Sequence, residues 1–207
     1  MSRRLIDSSS AAAVGADVVA LLDALHALPA VVLGNSMAGA AIVWAAAERP
    51  GAVRALVLED PFVRDLPAGF FATAALKAAL LRPWGPALWR SYYKSLYVTN
   101  RPADLDAYAA ALAASLSQPG RMEATRAMVW ASKAPCERRL GEVKARALVL
   151  MGTKDPDFAD PAAEGRHVAA AVHGELQLVE GAGHYPHAEQ PEVVAAALAR
   201  LAAEEPR

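Results

Sequence analysis

Short apolar runs alternate along this chain with helical patterns, and this alternation limits the possible folds more than any other feature. Four runs have the length of buried strands: residues 30–33, 54–58, 147–151 and 175–179. Residues 17–28, ahead of the first run, have apolar side chains at helical spacing, and residues 37–49, between the first and second runs, form a long segment of small apolar residues. Strands that alternate with helices need crossover connections, so the sequence predicts an α/β fold with a mostly parallel sheet and flanking helices.

Residues 62–140 differ in composition from the rest of the chain. They hold 11 Lys and Arg against 5 Asp and Glu, a net charge of +6, while the remaining residues carry −7. They also hold 10 of the 13 aromatic residues. Their helical patterns cover residues 70–81, 86–96, 104–116 and 122–133. We therefore predict an α/β core of residues 1–61 and 141–207, with residues 62–140 inserted as a helical cap.

A serine follows the first apolar run, in the sequence Gly34-Asn-Ser-Met-Ala-Gly39. A serine hydroxyl is a weak nucleophile unless a sharp turn exposes it to a base and leaves backbone N–H groups free nearby. Gly34 and Ala38, two positions on either side of Ser36, are small enough for such a turn between a strand and a helix. The alternative is that Ser36 only caps the helix that follows, since serine is a favoured N-cap residue.

Two further residues follow the third and fourth predicted strands. Asp155 comes shortly after the third strand and His184 shortly after the fourth. The carboxyl ends of parallel strands lie along one edge of a sheet, so both side chains are expected near Ser36. A nucleophilic serine needs a histidine to accept its proton and a carboxylate to orient that histidine. Asp157 is a rival for the carboxylate, and Asp155 is preferred because it matches the position of the acid in the family that these motifs resemble.

The serine, aspartate and histidine motifs resemble those of the α/β-hydrolase fold superfamily, in its capped type with a serine nucleophile. The resemblance implies that Ser36 attacks, His184 acts as general base and acid, Asp155 orients the imidazole and the Met37 N–H donates to the oxyanion. It implies a small apolar or ester substrate, most simply a carboxylic ester, and no metal or organic cofactor. A carbon–carbon bond hydrolase and a non-catalytic binding or interaction protein are the alternatives.

Other polar residues have less specific interpretations. Glu59 and Asp60 follow the second strand, where some relatives place their acid, but a solvated turn is the simpler expectation. His184 and His187 could suggest a metal pair, yet no further ligand is spaced to complete the site. Cys136 lies in the predicted cap, away from every motif, and is expected to be structural.

Composition excludes several classes of protein. The net charge of −1 gives no electrostatic footprint for nucleic acid. No apolar run approaches the roughly 18 residues of a membrane helix, and residues 1–7 are basic without an apolar stretch behind them. With a single cysteine no intrachain disulfide can form, which fits a reducing compartment, so a cytoplasmic location is expected.

The resemblance also implies elements that the sequence does not supply. Members of the family have eight strands, and the four visible runs correspond to the last four. The loop that carries a second oxyanion donor has no counterpart either. Residues 30–33 would then form an apolar edge strand, which favours pairing with another chain and allows a homodimer. A shortened chain, completion by a second copy and loss of catalysis are the three explanations.

Overall fold

The computed structural model describes residues 10–65 and 70–203. Residues 1–7, where the sequence shows no leader pattern, lie outside the described residues. In the described part, no helix is long and apolar enough to cross a membrane. Its helices and strands are α1 Ala11–Ala24, β1 Ala30–Asn35, α2 Met37–Glu48, β2 Val53–Glu59, α3 Phe70–Ala79, α4 Gly85–Ser95, α5 Leu105–Leu116, α6 Arg121–Trp130, α7 Ala134–Glu137, a 3-10 turn Leu140–Glu142, β3 Arg146–Gly152, α8 Pro161–Ala171, β4 Glu175–Val179, α9 Pro186–Glu189 and α10 Pro191–Ala203.

The four strands form one parallel sheet in the order β1-β2-β3-β4. In its register Leu33 pairs with Val57, and Leu58 pairs with Val149. The predicted α/β fold with a parallel sheet is therefore confirmed, and every predicted strand is found, three of them extended by one or two residues. The loops that follow β1, β2, β3 and β4 leave the sheet from the same edge because all four strands run in one direction.

Helices cover both faces of the sheet, but not evenly. On one face, α2 and α8 pack over a core that includes Leu56, Leu58 and Val149. On the other face, α10 packs over Ala55 and Val57 of β2 and the facing residues of β3. It leaves β1 uncovered, where Val31 and Leu33 are 36% and 41% exposed. Among the described strands, β1 pairs with β2 alone, so it is an edge strand, as the sequence predicts.

Helices α3 to α6 follow β2 in the chain, where the sequence predicts a helical insertion. Leu80, Leu116 and Met122 form a separate small core within this segment. The short helix α7 comes after them and was not predicted. Its Cys136 is buried in the core beneath the sheet together with Val143, and not among the helices of the insertion. Although Cys136 lies within residues 62–140, its side chain packs with the sheet core, and the expectation that it is structural stays a prediction.

The first helix differs most from its prediction. It begins at Ala11, six residues before the predicted start, because the Ser10 hydroxyl accepts a hydrogen bond from the N–H of Ala13 at 3.3 Å. The helix packs on α2 through small residues: a Cβ on Gly15 would lie 2.6 Å from the carbonyl oxygen of Ala41. Leu21 and Leu25, which the periodicity places on the buried face, are exposed. Close contact between small residues therefore decides this packing.

Candidate active site

Ser36 occupies a sharp turn between β1 and α2. Its backbone has φ 58° and ψ −128°, in the left-handed half of the Ramachandran plot that non-glycine residues rarely adopt. Three backbone hydrogen bonds hold this conformation: the N–H donates to the carbonyl of Glu59 at 2.9 Å, and the carbonyl accepts from the N–H groups of Gly39 and Phe62, both at 3.0 Å. The side chain makes no capping bond, so the alternative that Ser36 merely caps α2 is not what the structure has.

The small residues around Ser36 are required by close contacts. A Cβ on Gly34 would lie 2.7 Å from the carbonyl oxygen of Ala38, and one on Gly39 would lie 2.7 Å from the Cβ of Pro61. Met37 is the first residue of α2, so its backbone N–H has no acceptor within the helix. The turn therefore combines a strained serine with an adjacent backbone donor.

His184 and Asp155 form a buried pair beside this turn. The Nδ1 atom of His184 lies 2.6 Å from Oδ2 of Asp155, and the two residues are 1% and 2% exposed. The other oxygen of Asp155 accepts the N–H of Asp157 at 2.9 Å. The backbone of His184 is fixed as well: its N–H donates to Leu96, and its carbonyl accepts from the amide of Asn35 at 2.9 Å. The structure thus brings together the loops after β1, β3 and β4.

Asp157, the rival for Asp155, has a different partner. Its Oδ2 lies 3.8 Å from Nδ1 of His184, beyond hydrogen-bond distance, and accepts the hydroxyl of Tyr92 at 2.6 Å. Burial raises the pKa of Asp157. Asp155 is therefore the carboxylate that holds His184, while Asp157 links this loop to α4.

The expectation that Glu59 and Asp60 form a solvated turn is wrong, since neither residue is exposed. Glu59 accepts two bonds from His187, one from its N–H at 2.9 Å and one at Nδ1 at 2.6 Å, and this contact raises the pKa of His187. Asp60 accepts the N–H of Gly152 at 2.9 Å. Burial, and then the charge of Asp155, raise the pKa of Asp60 well above its usual range. Glu59 and Asp60 are buried because the loops after β3 and β4 cover the end of β2 and the loop that follows it.

Glu189 is a structural residue of the site that the sequence reasoning missed. This buried carboxylate accepts four backbone N–H groups: those of Val98, Thr99 and Asn100 at 3.2, 2.7 and 3.1 Å, and that of Gly183 at 2.7 Å. It thereby ties the loop after α4 to the residue before His184. The available signal was an acidic residue five positions after the histidine, just ahead of Pro191.

A cavity of about 860 Å³ lies between the carboxyl edge of the sheet and helices α3, α4 and α6. Ser36, Met37 and His184 all contribute to its wall. Most of the described lining is apolar, with some charged residues; the lining includes Phe62, Leu76, Leu80, Leu88, Trp89, Leu96, Met128, Val129, Trp130, Arg64 and Lys133. Serine, imidazole and a backbone donor therefore face one largely apolar space.

The part of the chain that the structure describes contains one group of three side chains close enough to share a cation. Ligand atoms of Asp60, Asp155 and His184 lie within 4.8 Å of one another. His187 does not join this group, because its Nδ1 is bonded to Glu59. His184 and His187 therefore have different carboxylate partners, Asp155 and Glu59.

Comparison with known proteins identifies the family. A family model described as the alpha/beta hydrolase family matches residues 3–197. No curated protein matches. Because the matched region covers most of the sequence, this chain belongs to the alpha/beta hydrolase family.

Solved structures have the same fold at low sequence identity. Bromoperoxidase from Bacillus anthracis is similar with a TM-score of 0.83 and 15% identity, over 97% of this chain and 77% of that one. A thermophilic esterase from Thermogutta terrifontis is similar with a TM-score of 0.74 and 22% identity, over 93% of this chain and 72% of that one. A 2-hydroxy-6-oxo-6-phenylhexa-2,4-dienoate hydrolase from Rhodococcus sp. strain RHA1 is similar with a TM-score of 0.68 and 16% identity, over 84% of this chain and 64% of that one. This chain therefore spans from 64% to 77% of the length of these three structures.

Proposed function

We propose that this protein is a serine hydrolase that cleaves carboxylic esters with Ser36, His184 and Asp155. The observation that carries the proposal is the shared cavity: the strained Ser36 turn and the His184 ring both line it, and His184 is held by a buried carboxylate. A polar group in a rare backbone conformation beside a histidine–carboxylate pair is the arrangement that activates a hydroxyl.

The reaction proceeds in two halves. The Ser36 Oγ attacks the ester carbonyl carbon and passes its proton to Nε2 of His184, while Asp155 accepts from Nδ1 and stabilises the imidazolium. Nε2 then gives the proton to the leaving alkoxide, and an acyl group remains on Ser36. Water attacks this acyl group with His184 as the base, which releases the carboxylic acid and returns the proton to Ser36.

The developing oxyanion needs hydrogen-bond donors that are already in place. The Met37 N–H at the start of α2 supplies one, reinforced by the positive end of the helix. One such donor contributes about 10² to 10³ in rate. In the described residues no hydrogen bond joins the Ser36 hydroxyl to His184 without substrate, and such bonds commonly tighten only when substrate is bound.

The cavity supports an ester with a sizeable apolar group. Its lining from α3, α4 and α6 is largely leucine, methionine and tryptophan, which favour an alkyl or aromatic substituent. Helices α3 to α6 would then act as the cap that covers the bound substrate, with residues 62–140 as the cap domain.

Hydrolysis of chromogenic p-nitrophenyl esters by the wild type and by Ser36→Ala tests this proposal. We expect the wild type to turn over these esters and the variant to lose at least about 10³-fold in kcat. Exposed Ser95 on α4 gives a matched control, Ser95→Ala, which should retain activity. Equal turnover by the wild type and Ser36→Ala would overturn the proposal, and a wild type with no turnover above the uncatalysed background would favour the non-catalytic binding protein.

A further inference from the structure

Asp60 is a buried carboxyl group whose second oxygen has no donor. Oδ1 accepts the N–H of Gly152 at 2.9 Å. Oδ2 is inaccessible to solvent, and no hydrogen-bond donor among the described residues reaches it. An ionised carboxylate needs donors on both oxygens when it is removed from water, so an ionised Asp60 would be strongly unfavourable here.

The neighbours of Asp60 add to this cost. Its titratable neighbours are Glu59 at the end of β2, Asp155 after β3 and His184 after β4. Ligand atoms of Asp60, Asp155 and His184 lie within 4.8 Å of one another. Asp155 is already used as the acceptor for His184. Two carboxylates at this distance in a buried site cannot both be charged without a large penalty, as in sites where two carboxyl groups share one proton.

One arrangement satisfies all of these groups. We propose that Asp60 is a neutral carboxylic acid whose Oδ2–H donates to the Asp155 carboxylate, so that Asp60 is a positioning residue for the Asp155–His184 pair. Gly152 then donates to the carbonyl oxygen of Asp60, Oδ2 gains a partner, and the negative charge of the cluster stays on Asp155 opposite His184. The neutral state of Asp60 follows from the fold alone, whereas the effect of Asp60 on the rate of ester hydrolysis rests on the proposed function.

The arrangement favours one tautomer of His184. A carboxylate that accepts an additional strong hydrogen bond is a weaker proton acceptor, which keeps the proton on Nδ1 of His184. Asp60 also fixes the carboxylate in the plane that His184 needs. Replacement by asparagine preserves both contacts, because the amide carbonyl can accept from Gly152 and the NH₂ can donate to Asp155. Asparagine also tolerates the positive φ of 42° at this position.

Infrared difference spectroscopy of the wild type against Asp60→Asn at neutral pH tests the charge state without any need for turnover. We expect the carbonyl stretching band of a protonated carboxylic acid in the wild type and its loss in Asp60→Asn. The matched control is Asp17→Asn, which changes an exposed carboxyl group on α1 and should leave that band unchanged. A wild type without the band would overturn the proposal.

The pH dependence of kcat/KM tests the positioning role. If Asp60 is neutral, Asp60→Asn leaves the acidic limb within about 0.3 pH unit of the wild type, because no charge is removed. Asp60→Ala removes the donor, so we expect a loss of about tenfold in kcat/KM and an acidic limb shifted to higher pH. A shift of about one unit to lower pH in Asp60→Asn would mean that a negative charge was lost, which contradicts the proposal.

The two proposals can fail independently. The infrared band is expected whether or not Ser36 is a nucleophile. An inactive protein that shows the band would therefore contradict only the proposed ester hydrolysis. An active protein that lacks the band would contradict only the proposal that Asp60 is neutral. If Asp60→Asn does not fold, as shown by circular dichroism, the wild type labelled with ¹³C at the aspartate carboxyl group replaces it: the acid band must shift with the label, and a missing band overturns the proposal.

Discussion

The edge of the sheet and the helices above it are built on different principles, although both face the same cavity. At the sheet edge, buried polar groups are held by specific hydrogen bonds: Asp155 by His184, Glu59 by His187 and Glu189 by four backbone N–H groups. Helices α3, α4 and α6 present leucine, methionine and tryptophan side chains to the cavity. The edge therefore fixes the positions of reacting groups, and the helices provide an apolar surface of adaptable shape.

This difference has a functional consequence. Reacting atoms must be held to within a fraction of an ångström, which requires hydrogen bonds with defined partners. An apolar wall contributes mainly through the area that it removes from water, and such contacts tolerate changes in shape. Substitutions at the sheet edge should therefore change kcat, whereas substitutions on the helices should mainly change which substrate is bound.

The largest expected effect separates two aspartates that are two residues apart. Asp155→Asn should lower kcat by about 10⁴-fold, because the amide no longer fixes the required tautomer of His184. Asp157→Asn should cost less than about tenfold, since its carboxylate lies 3.8 Å from Nδ1 of His184 and is bonded to Tyr92 instead. Steady-state hydrolysis of the same ester by both variants checks this prediction. Equal losses would mean that the two carboxylates act together.

The next largest effect concerns Glu189, whose carboxylate connects the loop after α4 to the loop that carries His184. Glu189→Gln places an NH₂ group among backbone N–H donors, so some of them lose their acceptor. We expect a loss of about 2–4 kcal/mol in the free energy of unfolding and a Tm lower by about 5–10 °C, measured by circular dichroism. Glu192→Gln, an exposed substitution at the start of α10, is the control. If both variants have the same Tm, the hydrogen bonds of Glu189 between these two loops do not stabilise the fold.

A substitution on the helices should change selectivity with little effect on the reaction itself. Leu88→Trp narrows the cavity from α4, so we expect KM for a long-chain p-nitrophenyl ester to rise several-fold. The kcat for the acetate ester should stay within about twofold of the wild type. Leu81→Trp is a matched control, because Leu81 is similarly exposed but does not line the cavity. An equal loss with both esters would contradict the separation of roles.

The smallest effect is a pH dependence of stability from the Glu59–His187 pair. The bond to Glu59 raises the pKa of His187 above its ordinary 6.5, so its contribution is fully present below pH 6.5 and is lost as the pH rises through the folded value. The difference in Tm between the wild type and His187→Gln should therefore shrink from about pH 5.5 to about pH 8.5. His167→Gln, an exposed change on α8, is the control. A difference that grows with pH would have the wrong sign.

The regular part of the fold could be predicted from the sequence because each strand is a short apolar run with a clear boundary. The positions of Ser36, Asp155 and His184 followed from the same logic, since each lies after a strand and parallel strands end at one edge. The start of α1 was missed because its first turns contain alanine and glycine, which give no apolar periodicity, and small-residue packing on α2 replaced the expected leucine face.

The buried acidic residues could not be predicted for a different reason. Glu59 and Asp60, like Asp155, lie at or shortly after the end of a strand, and the sequence offers no measure of which loop covers which. Their burial depends on long-range contacts with His187 and Gly152, about 90 to 130 residues further along the chain. Glu189 likewise has partners at residues 98–100. Contacts between distant loops are set by the tertiary structure and leave no local pattern.

Labelling of the native 207-residue chain with a fluorophosphonate, followed by intact-mass measurement, tests the central claim most directly. The reagent forms a covalent adduct with a serine hydroxyl only when a base activates it and an oxyanion donor is present. We predict one adduct per chain on the wild type and none on Ser36→Ala, with Ser95→Ala labelled like the wild type. No adduct on a folded wild-type chain, or an adduct that persists in Ser36→Ala, would contradict the assignment of Ser36 as the nucleophile.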